Sequence, residues 1–198
     1  PDATGHRIRN RSRQTEEISE MKLLHGFDDP QPYRGGFISI GNFDGVHLGH
    51  QSMIVELVRR ARAAGKPAVV FTFDPHPIIL LRPDHAPPSL SILERKVELL
   101  CRCGVDCVIA YPTSQDLLNL TPDEFFQKIV VDELQASGLV EGPNFFFGRN
   151  RAGDISKLER LCDRDGLSLK IVSQVEVDSR MVSSSVIRSL IIDGQIAA

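Results

Sequence analysis

The sequence has no long apolar segment and little excess charge of either sign. None of its apolar runs approaches the roughly 18 consecutive residues of a membrane-spanning helix, and its polar N-terminus lacks an apolar signal-peptide core. We therefore predict no membrane partner and take the cytoplasm as the default location. The formal net charge is -3, which argues against a general binder of nucleic acids or membranes.

Cysteine and histidine do not form a recognisable metal-binding pattern. The four cysteines are Cys101, Cys103, Cys107 and Cys162, and the first three fall in one predicted helix and the strand after it. A zinc site needs a fourth ligand at a suitable spacing, and no histidine lies near this cluster in the sequence. The pattern favours reduced core thiols over metal binding, and we predict no metal-ligating residues.

The composition fits one globular domain with a short tail. Hydrophobic residues make up 41% of the chain and charged residues 25%, which is typical of a soluble protein with a substantial core. A length of 198 residues fits one α/β domain, to which we assign residues 21–198. Residues 1–20 are polar and contain four arginines. We predict a mobile tail there, with a basic arm for a partner as the alternative.

Short apolar runs alternate with helical periodicities along the rest of the chain. Strands are predicted at 37–40, 68–73, 106–111, around 139–140 and at 169–175. This alternation is typical of a parallel sheet with right-handed crossovers. We predict a doubly wound, mainly parallel five-stranded sheet with helices on both faces, a Rossmann-like α/β fold. Because ligands bind beyond the carboxyl ends of such strands, the loops that follow them are the candidate sites.

Two predicted helices begin with a capping-box pattern. The first pairs Ser91 with Glu94, and the second pairs Thr121 with Glu124 and places Pro122 at the first helical position. Gly65 is placed to end the helix that follows the first strand.

The first candidate site is the segment 41–50, GNFDGVHLGH, between a predicted strand and a helix. A helix start offers unpaired N–H groups and a positive dipole end to phosphate. His47 and His50 are three residues apart and share a helix face, with Gly49 leaving room between them. Two such imidazoles can donate hydrogen bonds to charge that grows on a phosphate during transfer. A metal half-site and a chance surface pair are the alternatives.

Three further segments follow predicted strands or open a helix. Residues 183–188 (SSSVIR) combine hydroxyls, a helix start and Arg188, which suit phosphate, although a plain helix cap is the alternative. Residues 142–154 (GPNFFFGRNRAGD) place three aromatics in a loop, which indicates a pocket for a flat ring or, alternatively, inward packing of all three. Residues 72–77 (TFDPHP) form a stiff turn or a preformed wall of that pocket.

Together and in this order, these segments resemble the adenylyltransferase module of bacterial bifunctional riboflavin kinase/FAD synthetase. That family belongs to the His-x-Gly-His nucleotidyltransferase superfamily, and the likeness runs from about Gly41 to Arg188. The resemblance implies that AMP is transferred from ATP to FMN, giving FAD and pyrophosphate without a covalent enzyme intermediate.

The resemblance also implies roles for individual residues. His47, His50 and Arg188 would be catalytic, and Ser183 and Ser184 would hold the outer phosphates together with Arg188. The residues that shape the ATP side would be Gly41, Asn42, Phe43, Asp44 and Gly45. The residues that line the flavin side would be Pro75, Pro77, Phe125, Asn144 and Phe147. Mg²⁺ is expected with ATP, without an implied protein ligand.

The sequence departs from the family in two respects. The family usually continues into a riboflavin kinase domain, which we expect in the full-length protein and not in these residues, so riboflavin should not be phosphorylated by them. Glu141 stands at a strand end where an apolar residue is more usual, facing either solvent or the site. The alternatives are a nucleotidyltransferase with another acceptor and a flavin- or nucleotide-binding module without turnover. A nucleic-acid partner is disfavoured by the acidic balance.

Overall fold

The computed structural model describes residues 22–178 and 180–195, and the predicted tail at 1–20 lies outside them. The strands are β1 (Lys22–His25), β2 (Phe37–Ile40), β3 (Ala68–Asp74), β4 (Cys107–Pro112), β5 (Gly138–Glu141), β6 (Ser168–Ile171), β7 (Glu176–Val177) and β8 (Arg180–Met181). The helices are α1 (Leu48–Ala63), α2 (Pro77–Leu81), α3 (Leu93–Arg102), α4 (Gln115–Asn119), α5 (Pro122–Phe125) with a π-helical continuation (Phe126–Glu133), α6 (Ile155–Asp165) and α7 (Ser184–Ile192). No helix in these described ranges is long and apolar enough to cross a membrane.

Six strands form one parallel sheet in the order β1-β4-β3-β2-β5-β6. The chain runs from β2 to β3 and β4 on one side, and later from β5 to β6 on the other. The strand order therefore reverses between β2 and β5, which confirms the doubly wound α/β prediction. Strands β7 and β8 form a separate antiparallel hairpin.

The predicted number of five strands was wrong because β1 was missed. This edge strand has four residues, of which only Leu24 is buried, so it carries neither an apolar run nor a clear alternation. The last predicted strand, at 169–175, is also shorter in the structure, where β6 ends at Ile171.

Helices cover both faces of the sheet. Val69 and Phe71 of β3 pack in one core with α5, its π-helical continuation and α6, whereas Val70 packs on the opposite face with α1 and α3. Successive side chains of a strand point to opposite faces, and here both faces are buried. This explains why the parallel strands read as continuous apolar runs.

Local signals at helix ends were mostly reliable. The capping box of Thr121 and Glu124 is present at the start of α5, and Gly65 follows α1 with a φ of 64°. The box predicted for Ser91 is wrong, because Ile92 precedes α3 and makes no side-chain cap. The Ser91 hydroxyl instead accepts a hydrogen bond from the N–H of Gly45 at 3.0 Å. Ser91 therefore supports the segment after β2.

Candidate active site

The segment between β2 and α1 lies where the strand order reverses, the usual ligand position in an open α/β sheet. Its backbone is left-handed at Phe43 (φ 47°), Gly45 (φ 77°) and Val46 (φ 40°). A β-branched residue rarely adopts such a conformation, and strained backbone of this kind is concentrated at functional sites. The fold thus holds this turn in a conformation that local preferences disfavour.

The two histidines of this turn share one face of the start of α1. Their rings stack at a centroid distance of 3.6 Å and an angle of 16°. The Nδ1 atom of His47 accepts a hydrogen bond from the N–H of His50 at 3.3 Å, so Nε2 of a neutral His47 carries the proton. A Cβ atom at Gly49 would lie 3.2 Å from this Nδ1 atom, which explains the glycine between the histidines.

The surroundings of both imidazoles favour the neutral form. Burial lowers the pKa of His47, and burial together with the charge of His47 lowers the pKa of His50 to about 3. Among the described residues, the buried Nδ1 atom of His50 has no hydrogen-bond partner. A neutral imidazole keeps one N–H group, which can donate a hydrogen bond to a phosphate oxygen.

Asp44 joins three separate parts of the chain. Its carboxylate accepts hydrogen bonds from the N–H groups of Leu90 at 3.0 Å and Ser91 at 3.1 Å, and it forms an ion pair with Arg188. Burial alone would raise the pKa of Asp44, but these hydrogen bonds and the charge of Arg188 outweigh burial and lower it. Asp44 therefore ties the turn to the loop before α3 and to α7.

The predicted residues of α7 lie at the same turn. The Ser183 hydroxyl caps α7 by accepting a hydrogen bond from the N–H of Val186, and the Ser184 hydroxyl donates to the carbonyl of Asp44 at 3.0 Å. Arg188 donates both to Asp44 and to the carbonyl of Pro88. The structure thus brings these residues to the histidine turn, with the guanidinium engaged by protein groups.

An aromatic cavity of about 520 Å³ adjoins this turn. Four of the five residues predicted for the flavin side line it, namely Pro77, Phe125, Asn144 and Phe147. Pro75 is not among the lining residues. Gly41 and Asn42 of the turn also line the cavity, so the predicted ATP side and flavin side meet at these two residues.

The three consecutive phenylalanines do not all pack inward. Phe147 is buried, Phe145 is half-buried and stacks on Phe147, and Phe146 is 45% exposed. The guanidinium of Arg151 lies 4.8 Å from the ring centre of Phe146. All three contribute to the cavity wall, which favours the pocket interpretation of this loop over inward packing of all three.

Sequence reasoning did not single out His76 or Lys96 at the site, and it left the environment of Glu141 open. His76 lines the cavity and accepts a hydrogen bond from the N–H of Ile78 through Nδ1. Lys96 is buried on α3, four residues before the buried Leu100; a lysine at an apolar helical position was the available signal. Glu141, left open between solvent and site, is 1% exposed and accepts a hydrogen bond from the N–H of Ile40 at 2.7 Å.

The cysteines do not contribute to the site. All four are free thiols; Cys107 and Cys162 are buried, and Cys101 and Cys103 are half-buried. Within residues 22–178 and 180–195, no three His, Cys, Asp or Glu side chains are grouped to hold a metal ion.

The fold resembles solved structures of α/β proteins. A structure titled macrolide-efflux protein, from Streptococcus pneumoniae, superposes with a TM-score of 0.77 at 26% identity, covering 89% of this chain and 59% of the other. Pantothenate synthetase from Thermus thermophilus superposes with a TM-score of 0.52 at 19% identity, covering 84% and 67%. The second likeness concerns the fold alone.

Curated relatives share sequence over most of this chain. The bifunctional riboflavin kinase/FMN adenylyltransferase of Pseudomonas fluorescens is 36% identical over 170 residues, which are 85% of this chain and 54% of the relative. That of Escherichia coli K12 is 31% identical over 179 residues, which are 89% and 57%. The chain thus spans about half the length of these relatives. A family model described as FAD synthetase matches residues 29–186, and the chain belongs to the FAD synthetase family.

Proposed function

We propose that the chain is an FMN adenylyltransferase, which transfers AMP from ATP to FMN and releases pyrophosphate. The observation that carries this proposal is the aromatic cavity sharing Gly41 and Asn42 with the histidine turn. A flat isoalloxazine ring fits an aromatic wall, and its phosphate tail would then reach the turn that suits a triphosphate. The phosphate of FMN, which is the nucleophile, would then lie next to the α-phosphorus of ATP.

The roles of the residues follow from their chemistry. His47 and His50 would donate hydrogen bonds to phosphate oxygens as charge develops on them, and the N–H groups at the start of α1 would add their positive dipole. The buried Oδ1 atom of Asn42 and Nδ1 atom of His50 lack partners within the described residues, which supports a polar ligand at this position. Pro77, Phe125, Asn144 and Phe147 would contact the flavin, with Pro75 supporting the turn behind them.

The phosphate role of α7 needs a change of partner. Ser183 and Ser184 stand at the helix start, where hydroxyl and N–H groups can both meet phosphate. Arg188 would exchange part of its contact with Asp44 for an outer phosphate of ATP. Its planar fork can serve two anions at once, so the ion pair need not break fully.

Mg²⁺ would arrive bound to the triphosphate, and residues 21–198 would form the adenylyltransferase domain. A riboflavin kinase domain would belong to the full-length protein, whose location would be the cytoplasm.

The test is a reaction of the purified chain with ATP, Mg²⁺ and FMN. FAD is followed by chromatography and pyrophosphate by a coupled assay, and the two are expected in equal amounts. A parallel reaction with riboflavin in place of FMN should give no phosphorylated flavin. A folded chain that binds FMN but releases no pyrophosphate would overturn the proposal and favour a binding module. Pyrophosphate release with another phosphorylated acceptor, and none with FMN, would instead identify a different transferase.

A further inference from the structure

Lys96 is a buried cation with very little compensation. The residue is 9% exposed on the inner face of α3. Its Nζ atom makes one hydrogen bond, to the Thr72 hydroxyl at 3.4 Å, and it forms no ion pair with any described residue. An ammonium group has three donors, and burying a charge without a close counter-ion is costly. Burial accordingly lowers the pKa of Lys96.

The ammonium is connected through Thr72 to the histidine turn. Thr72 stands near the carboxyl end of β3, and its hydroxyl donates to the carbonyl of Asn42 at 3.2 Å. Burial is the main cause of the lowered pKa of both His50 and His76, and the charge of Lys96 lowers both further. One of these histidines belongs to the turn and the other lines the cavity. Through Thr72, Lys96 is thus one hydrogen bond removed from Asn42, which belongs to the turn and also lines the cavity.

The nearby carboxylates of Asp44 and Asp74 do not form an ion pair with the Lys96 ammonium. The charges of Asp44 and Asp74 oppose the effect of burial on Lys96, but Asp44 already holds Arg188 and two N–H groups. A weakly bonded buried lysine is therefore explained if an anion joins it during function. Phosphate oxygens would use the two donors that the Thr72 contact leaves free.

We propose that Lys96 is a further catalytic residue, whose ammonium binds the α-phosphoryl group as it passes from ATP to FMN. The inference rests on the function proposed above. In that step a phosphate oxygen of FMN forms a bond to the α-phosphorus of ATP. The bond from this phosphorus to the oxygen bridging to the β-phosphorus breaks, and pyrophosphate leaves with the electron pair. Lys96 stabilises the non-bridging oxygens of the α-phosphoryl group while this exchange occurs.

The test is the Lys96→Met variant, which removes the charge and keeps an unbranched side chain. We expect kcat for FAD formation to fall by about 100-fold, whereas the Kd for FMN, measured by flavin fluorescence, changes less than threefold. Because the variant also removes an uncompensated buried charge, its midpoint of urea unfolding should be unchanged or higher. Lys96→Arg retains the charge and should recover part of kcat.

The matched control is Arg95→Met, which removes the neighbouring charge of the same helix. Arg95 is exposed and paired with Glu98, so this variant should form FAD at the wild-type rate. Wild-type kcat in Lys96→Met would overturn the role of Lys96 and leave the adenylyl transfer standing. Parallel losses of kcat, FMN affinity and unfolding midpoint would identify a structural lysine and overturn it too. A wild-type chain that makes no FAD would overturn the proposed function itself, and the role of Lys96 with it.

Discussion

Asp44 and Arg188 lie 144 residues apart in the sequence and form an ion pair with both side chains largely buried. The pair fastens α7 to the turn that carries the two histidines. Breaking a buried pair leaves an uncompensated charge, so Arg188→Met should lower the free energy of unfolding by about 3 kcal/mol. Urea unfolding without substrates measures this cost.

A double-mutant cycle isolates the pair. Asp44→Asn should also destabilise the chain, and the Asp44→Asn/Arg188→Met double variant should lose less than the sum of the two single losses. Arg164→Met is the control, because Arg164 pairs with Asp165 in a half-exposed contact of the kind that contributes little. Additive losses in the cycle would show that the two side chains act independently.

The buried carboxyl of Glu141 predicts a dependence of stability on pH. Burial raises the pKa of Glu141 well above 4.5, although the hydrogen bond from the N–H of Ile40 opposes this shift. The folded chain therefore keeps a proton that the unfolded chain releases above pH 4.5. Stability falls by about 1.4 kcal/mol per pH unit from there up to the folded pKa. Glu141→Gln, which keeps the acceptor but cannot ionise, should match the wild type near pH 4 and exceed it increasingly towards pH 7.

Glu56 provides a control of opposite sign for this measurement. Hydrogen bonds from Arg59 and Arg60 lower the pKa of Glu56 to about 2. The stabilisation that they give is present above pH 4.5 and is lost as the pH falls through the folded pKa. Glu56→Gln should thus be slightly less stable than the wild type at pH 7, with a difference that closes in acid. A Glu141→Gln curve parallel to the wild type would mean that Glu141 ionises normally in the folded chain.

The sequence was sufficient for the features that short segments encode. Continuous apolar runs located the central strands, and the box of Thr121 and Glu124 located a helix start. Ser91 carries the same local pattern, yet its hydroxyl bonds to Gly45, 46 positions earlier. A capping pattern takes account only of residues near in sequence. A serine hydroxyl can instead bond to a backbone group that is distant in sequence, and the pattern does not detect this.

The same limit explains what was missed at the site. The residue types and spacing of the HLGH segment were enough to predict a phosphate site. The ion pair between Arg188 and Asp44 could not be predicted, because the two residues are distant in the sequence. Lys96 stands one helical turn from Leu100, so periodicity alone predicts a buried position. A lysine there conflicts with the ordinary exposure of charged residues, and only the fold shows that its ammonium bonds to Thr72, whose hydroxyl in turn bonds to Asn42 of the histidine turn.

His50 should matter for turnover far more than for flavin binding. Its ring stacks on His47 at the helix start and has an edge contact with Phe43, and it is not among the residues that line the aromatic cavity. We expect His50→Ala to lower kcat by about 100-fold and to change the Kd for FMN by less than threefold. His85→Ala, at an exposed position, is the control and should behave as the wild type. Equal losses of turnover and FMN binding would make His50 a structural residue.

Gly148 should be the residue of the aromatic loop that tolerates substitution least. Its φ of 71° and ψ of 177° fall in a region that is essentially restricted to glycine. A Cβ atom there would lie 2.6 Å from the backbone nitrogen of Pro122 and 2.8 Å from its Cα atom. The clash is with backbone atoms, so the backbone at Gly148 or at Pro122 must move to relieve it. Gly148→Ala should therefore shift the loop away from α5 and lower the free energy of unfolding by about 3 kcal/mol.

Two other glycines separate the backbone cost from the steric cost. Gly166 has a φ of 69° and Gly142 has no positive φ, and a Cβ atom at either would meet no described atom within 4 Å. Gly166→Ala should cost about 1 kcal/mol for the left-handed backbone alone, and Gly142→Ala should stay within about 0.5 kcal/mol of the wild type. Phe147, next to Gly148, packs at a tilt on Phe125 of α5, with ring centres 6.1 Å apart, and both line the cavity. Gly148→Ala should therefore also weaken FMN binding, whereas Gly166→Ala should not. The opposite outcome is that Gly148→Ala is no more destabilising than Gly166→Ala and binds FMN normally. That result would contradict the prediction, because it would show that the cavity wall does not depend on the contact between Gly148 and Pro122.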